Sequence, residues 1–174
     1  MRLGIYGGSF NPVHSGHVRV AVSAIDTLAL DRLIVIPAAV SPFKVGGAAA
    51  GAPKWDRLEL VRLAFEGVLR VTIDERELRR GGVSYAIDTV REVASENPGA
   101  EIFFIIGEDS VEGLPRWKDW PELQKLCTFK AFPRTRESST EIRRRLAAGE
   151  SIADLVPPRV ASALTDLSSI CIRR

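Results

Sequence analysis

The stretch Gly7-Gly8-Ser9-Phe10-Asn11-Pro12-Val13-His14-Ser15-Gly16-His17 holds both histidines of the chain, three residues apart. It follows a short β-capable run, residues 2–6, and leads into residues 18–28, where Ala, Val, Ile and Leu recur at helical spacing. Strand, glycine-rich loop and helix therefore succeed one another. Arg32–Pro37 (RLIVIP) is a compact apolar run stopped by proline and reads as a second buried strand parallel to the first. The two strands and the intervening helix make a βαβ unit, for which a right-handed crossover is expected.

The same alternation continues. Residues 38–53 are rich in Gly, Ala and Pro, lack periodicity and read as a surface loop carrying Lys44. Helical spacing resumes over residues 55–65, residues 71–74 form a short strand, and residues 75–82 read as a charged turn ending in two glycines. Ser84 is placed to cap a helix over residues 85–96, which Asn97-Pro98-Gly99 stops. Residues 101–106 (EIFFII) are the most hydrophobic strand candidate and belong at the centre of the sheet. CTFKAF, residues 127–132, is another strand by its β-branched and aromatic content. Ser138 and Glu141 have capping-box spacing ahead of a helix over residues 142–148, and Pro157-Pro158 opens a last helix. Strands alternating with helices predict an α/β fold: a Rossmann-like parallel sheet with helices on both faces.

Composition narrows the function classes. A chain of 174 residues supports one full core, so residues 1–174 are expected to form a single domain. The formal charge of +2 balances 24 basic against 22 acidic residues, which argues against a nucleic-acid or membrane-surface partner and leaves anion binding to local sites. Cys127 and Cys171 lack CxxC spacing and the chain starts without a signal-like segment, as expected of a cytoplasmic protein. No apolar run approaches the roughly 20 residues of a membrane span.

Ligands of open α/β sheets bind beyond the carboxyl ends of the strands, where a glycine-rich turn and a helix N-terminus favour phosphate. Gly7, Gly8 and Gly16 would supply that turn. The spelling is neither GxGxxG nor GxxxxGKS, so a different nucleotide class is implied. His14 and His17 could donate to phosphate oxygens, pack structurally, or bind a metal, the last requiring a third ligand that the loop lacks. A second anion site would lie where Ser139 and Thr140 open a helix with Arg143 one turn in, unless this is an ordinary cap with a solvated basic face. Trp117, after the central strand, could stack a heteroaromatic ring or pack in the core, the role that suits Trp120. Asp109 could accept from a ribose hydroxyl or cap a helix.

Taken together, residues 8–17 resemble the G-[ST]-F-[DN]-P-x-H-x-G-H signature of the nucleotidylyltransferase superfamily. Within it the chain resembles the bacterial nicotinate-nucleotide adenylyltransferases. The likeness extends through Pro42-Phe43-Lys44, Asp74-Glu75-Arg76-Glu77-Leu78, Ser84-Tyr85, Phe104 to Ser110, Arg116-Trp117, Pro133-Arg134 and Ser138-Ser139-Thr140-Glu141-Ile142-Arg143. This resemblance implies the nucleotidylyltransferase fold and adenylyl transfer from ATP to nicotinate mononucleotide, with Mg2+ held mainly by ATP phosphates and water and no protein metal site. It implies catalytic roles for His14, His17 and Arg143. Gly8, Ser9, Phe10, Gly16, Gly107, Asp109, Ser139 and Thr140 would bind ATP, with Asp109 at a ribose. Lys44, Tyr85, Ala86, Trp117 and Arg134 would bind the acceptor: Trp117 against its pyridine, the Tyr85 and Ala86 backbone at its carboxylate, Lys44 and Arg134 near its phosphate. Another acceptor, such as nicotinamide mononucleotide, and a nucleotide-binding module without turnover are the competing readings; a homo-oligomer is compatible with each.

The chain departs from the family pattern at one place. Only residues 133–137 separate CTFKAF from Ser138, where relatives carry a longer stretch with another strand, so the sheet is expected to be one strand short. Glu137 stands where isoleucine is usual, and an exposed connection is expected there.

Overall fold

A computed structural model describes residues 1–44 and 54–171. Among these, five strands form one parallel sheet: β1 (Arg2–Gly8), β2 (Arg32–Pro37), β3 (Val71–Ile73), β4 (Glu101–Gly107) and β5 (Thr128–Phe132), in the order β3-β2-β1-β4-β5. The chain runs outward from β1 to one edge and then returns to lay β4 on its other side. This reversal opens a crevice at the carboxyl ends of β1 and β4, where ligands of such sheets bind.

The sheet is covered on both faces, and each strand's period of two explains how. Leu33, Val35, Phe103 and Ile105 point to one face, where they meet Ala21, Ala24 and Ile25 of α1 (Ser15–Thr27), Leu60 and Val61 of α2 (Lys54–Phe65), Ile142 of α6 (Ser139–Ala147) and Val160 of α7 (Pro158–Cys171). Leu3, Ile5, Ile34, Ile36, Phe104 and Ile106 point to the other, against Ile87, Val90 and Val93 of α4 (Ala86–Glu96) and Leu123 of α5 (Trp120–Leu126).

Local chemistry shifts several expected boundaries. The first helix begins at Ser15 rather than Val18, because His14 takes its N-cap position in extended conformation. Gly7 and Gly8 end β1 and Gly16 lies inside α1, so they do not make the turn; it is made by the residues between, with Phe10 at φ 43°. Residues 75–82 are not simply a turn: Arg76–Arg80 forms a short helix, α3, stopped by Gly81 and Gly82 at positive φ. Ser84 does not cap α4, whose N-cap is Tyr85; the Ser84 hydroxyl instead accepts from the Ala39 N–H at 2.9 Å. Ser138 caps α6 as expected, its hydroxyl accepting from the Glu141 N–H at 3.1 Å. Residues 133–138 contribute no strand, and the sheet ends at β5. Among the described residues no helix is long and apolar enough to cross a membrane.

Candidate active site

The loop after β1 is built from beneath. Phe10, only 2% exposed, lies under Gly8, where any Cβ would meet the Phe10 ring at 3.0 Å. The same ring stands edge-on to Tyr6 (5.6 Å) and to His17 (5.0 Å). Arg57 of α2 is buried and donates to the Ser9 carbonyl at 2.6 Å and the Ala38 carbonyl at 2.9 Å, tying the loop to the end of β2. Phe10 thus supports the loop.

His14 and His17 stack, with ring centroids 3.6 Å apart. The His14 backbone N–H donates to His17 Nδ1 at 3.1 Å, so the neutral His17 ring carries its proton on Nε2. Burial lowers the His14 pKa to about 4, with Glu137 pulling it up and Arg19 pushing it down. Burial, then the neighbouring His14, holds His17 well below the usual imidazole value. At neutral pH both rings are uncharged donors at the positive end of α1.

Two cavities open here. The larger, about 600 Å³, is lined by Gly8, Ser9, Phe10, Tyr85, Ala86, Gly107, Asp109 and Trp117. Trp117 is half-buried, its indole edge-on to Phe104 (5.7 Å) and Phe129 (5.8 Å) and 6.2 Å from Phe43. Trp120 packs on Phe129 at 4.9 Å. Lys118 and Tyr85 form a cation–π pair beside Trp117 (4.6 Å). The smaller cavity, about 270 Å³, is lined by His14, Gly16, Asp109, Arg134, Ser139 and Thr140. His17 lines both.

Asp109 and Arg134 are both exposed and pair loosely across the smaller cavity at 3.7 Å. Gly107 leaves room for Asp109, whose carboxylate oxygen would lie 2.5 Å from a Cβ there. The Ser139 hydroxyl donates to the Pro12 carbonyl at 2.9 Å, and Arg143 donates to the Asn11 carbonyl and to Thr140 Oγ1 at 3.2 Å. The α6 start is thereby joined directly to the histidine loop. Lys44 ends a 3-10 turn, Pro42–Lys44, and its side chain lies outside the described residues.

The expectation of an exposed Glu137 is overturned. Glu137 is 3% exposed and forms ion pairs with Arg19 of α1 and, at 3.2 Å, with Arg136. Burial alone would raise its pKa; hydrogen bonds from Arg19 and Arg136 outweigh that and hold it at about 2.

Sequence reading also missed Arg57, Glu77 and Thr135. Glu77 is buried, lines the larger cavity and accepts from Thr89 Oγ1 at 2.6 Å and from the Ser84 hydroxyl; burial raises its pKa. Thr135 abuts Gly16 so closely that a Cβ on Gly16 would lie 2.0 Å from its Oγ1. Arg57 and Thr135 act on partners 19 or more residues away, and Glu77 on another helix and its entry loop, where local spacing carries no signal. Among the described residues no three His, Cys, Asp or Glu side chains gather into a metal-binding group.

The cytidylyltransferase-like family matches residues 5–174. Proteins named probable nicotinate-nucleotide adenylyltransferase are similar throughout: one from Gemmatimonas aurantiaca is 38% identical over 93% of this chain and 89% of its own length. One from Listeria monocytogenes is 36% identical over 92% and 93%. Among solved structures, a Vibrio parahaemolyticus protein that also bears the adenylyltransferase name superposes with a TM-score of 0.78 at 24% identity, over 95% of this chain and 99% of its own. The Plasmodium falciparum nicotinic acid mononucleotide adenylyltransferase complexed with NaAD superposes with a TM-score of 0.74 at 15% identity, over 95% of each chain. At these identities the superpositions speak for the fold.

Proposed function

The chain belongs to the cytidylyltransferase-like family, and from that premise we propose that it transfers the adenylyl group of ATP to nicotinate mononucleotide in NAD biosynthesis. The products are the deamido form of NAD and pyrophosphate. The observation that carries this reading is the position of His17, which lines both an aromatic cavity suited to a pyridine nucleotide and a polar one suited to a triphosphate.

The chemistry needs no protein nucleophile. The acceptor's phosphate oxygen attacks the α-phosphorus, a new P–O bond forms, and the bond to the β-phosphate breaks in line to release pyrophosphate. His17, with its proton on Nε2, donates to phosphate oxygens at the junction, and His14 stacks behind it. Gly16, Ser139, Thr140 and Arg143 hold the distal phosphates, where charge grows as pyrophosphate leaves. Gly8, Ser9 and Phe10 shape the wall of the larger cavity, Gly107 borders both, and Asp109 accepts from a ribose hydroxyl. Trp117 faces the pyridine ring, the Tyr85 and Ala86 backbone meets the carboxylate, and Lys44 and Arg134 serve the acceptor's phosphate. Mg2+ would be held mainly by ATP phosphates and water rather than by protein side chains, and would supply compensation of phosphate charge. One domain over residues 1–174, working in the cytoplasm, contains every side chain invoked.

The test is pyrophosphate release from ATP and Mg2+ with a panel of acceptors. Nicotinate mononucleotide is expected to give the highest kcat/KM, by at least tenfold over nicotinamide mononucleotide. A rival acceptor preferred tenfold would replace the assignment; ATP binding without turnover on any acceptor would leave a nucleotide-binding module.

A further inference from the structure

Helix α6 carries Ser139 and Thr140, which line the smaller cavity, and Arg143, which bonds Asn11 and Thr140, on a largely polar surface with Ile142 its buried anchor. At helix starts, an apolar residue before the N-cap commonly packs on the fourth helical residue and sets the angle at which the chain enters. Ser138 is the N-cap here and Ile142 is that fourth residue, but the residue before the cap is Glu137. Its carboxylate is fully enclosed and bound by Arg19, two residues beyond His17 on α1. Arg19 is half-exposed, so water reaches one partner and not the other. Both charges of the pair act on His14, in opposite senses.

We propose that the Arg19–Glu137 ion pair is a positioning device that replaces the apolar staple of α6, registering its phosphate-binding start against the histidine loop. Arg19 lines neither cavity, and Glu137 borders the smaller one with its carboxylate enclosed; each acts through the placement of Ser139, Thr140 and Arg143. The pair compensates for the short connection between β5 and α6, which has no strand of its own to fix the helix. A buried ion pair is poor evidence for stability as such, but it is directional and so suited to setting register.

The inference rests on the ATP-dependent reading, and its test separates the two. The intact chain with Mg2+ is titrated with α,β-methylene ATP by calorimetry, and KM for ATP and for acceptor are measured apart. Arg19→Ala and Glu137→Gln are each expected to weaken analogue binding about tenfold and raise KM for ATP while the acceptor KM stays put. The double variant should be no weaker than Glu137→Gln alone, since that change already removes the Arg19 contact along with the Arg136 one. Glu137→Leu, which rebuilds an apolar staple on Ile142, should bind within about twofold of the parent. Single variants that bind like the parent, penalties that multiply in the double variant, KM values that move together, or a Glu137→Leu as weak as Glu137→Gln would each overturn it. Should Glu137→Gln fail to fold, Arg19→Lys is expected to retain affinity that Arg19→Ala loses, and equal affinities would overturn the proposal. A parent chain that does not bind the analogue refutes the nucleotide reading instead.

Discussion

The two sides of the smaller cavity do the same work by different means. On the histidine side, residues 7–17 follow one another in sequence and rest on buried groups: Phe10, Tyr6, and the Arg57 guanidinium clasping backbone carbonyls. On the opposite side, residues 133–143 hang between β5 and α6 and are held by long-range polar ties to the first: Arg19 to Glu137, Ser139 to Pro12, Arg143 to Asn11. One side is a rigid template, and the other is registered upon it. The second half has one core anchor, Ile142, and is otherwise keyed to the first by polar ties.

The sharpest way to break the comparison is to remove the template's donor. His17→Ala should lower kcat by about 10² to 10³, the usual loss for one oriented transition-state donor, with substrate affinity little changed. Steady-state kinetics with a circular-dichroism check of folding decides it. An effect mainly on KM would make His17 a binding group rather than a catalytic one.

Forcing the two sides apart comes next. Gly16→Ala places a methyl group 2.0 Å from Thr135 Oγ1 and 3.0 Å from His14 Nδ1, so one side must yield. Affinity for ATP should fall on the order of tenfold or more, the cost of overpacking a close contact. Thr135→Ala in the same chain should recover part of it. No recovery would mean that the strain is taken by His14, inside the template.

In the larger cavity, Trp117→Ala should raise acceptor KM about tenfold through the loss of ring stacking, leaving KM for ATP within twofold. Equal changes in both would place the indole in the structural core alone.

The smallest effect separates the sides by pH. His14 titrates near 6.5 when unfolded and about 4 when folded, so the unfolded chain holds more protons between these values. Stability from the histidine side is thus present above pH 6.5 and lost as pH falls toward 4. Glu137, at about 2 when folded and 4.5 when unfolded, contributes stability that is present above pH 4.5 and lost only as pH falls toward 2. Urea midpoints across pH 2 to 7 should flatten between pH 4 and 6.5 for His14→Asn and between pH 2 and 4.5 for Glu137→Gln. A single shared window would contradict the separation of the His14 and Glu137 titrations.

What could be read from the sequence follows the same division. The five strands were legible because a strand buried on both faces reads as a short continuous apolar run, as in Leu33, Ile34, Val35 and Ile36, whose side chains go alternately to the two faces. The histidine loop was legible as a contiguous motif. Ser84 was misread as a cap because its hydroxyl is taken by Ala39, 45 residues away. Glu137 was misread as exposed because its partner lies 118 residues back. A carboxylate in a short connection looks solvated unless the opposing guanidinium is known. The residues 75–82 hid helix α3 because five residues between charged neighbours and two glycines carry too little periodicity to register.

The central claim is that two cavities meeting at His17 hold the two reacting nucleotides. A crystal structure with the deamido dinucleotide and pyrophosphate bound tests it most directly. The expected result has the pyridine ring against Trp117, the bridging phosphates beside His17, and pyrophosphate between His14 and the Ser139–Arg143 start of α6. A dinucleotide whose phosphates lie away from His17, or a pyrophosphate that leaves Ser139, Thr140 and Arg143 untouched, would contradict it.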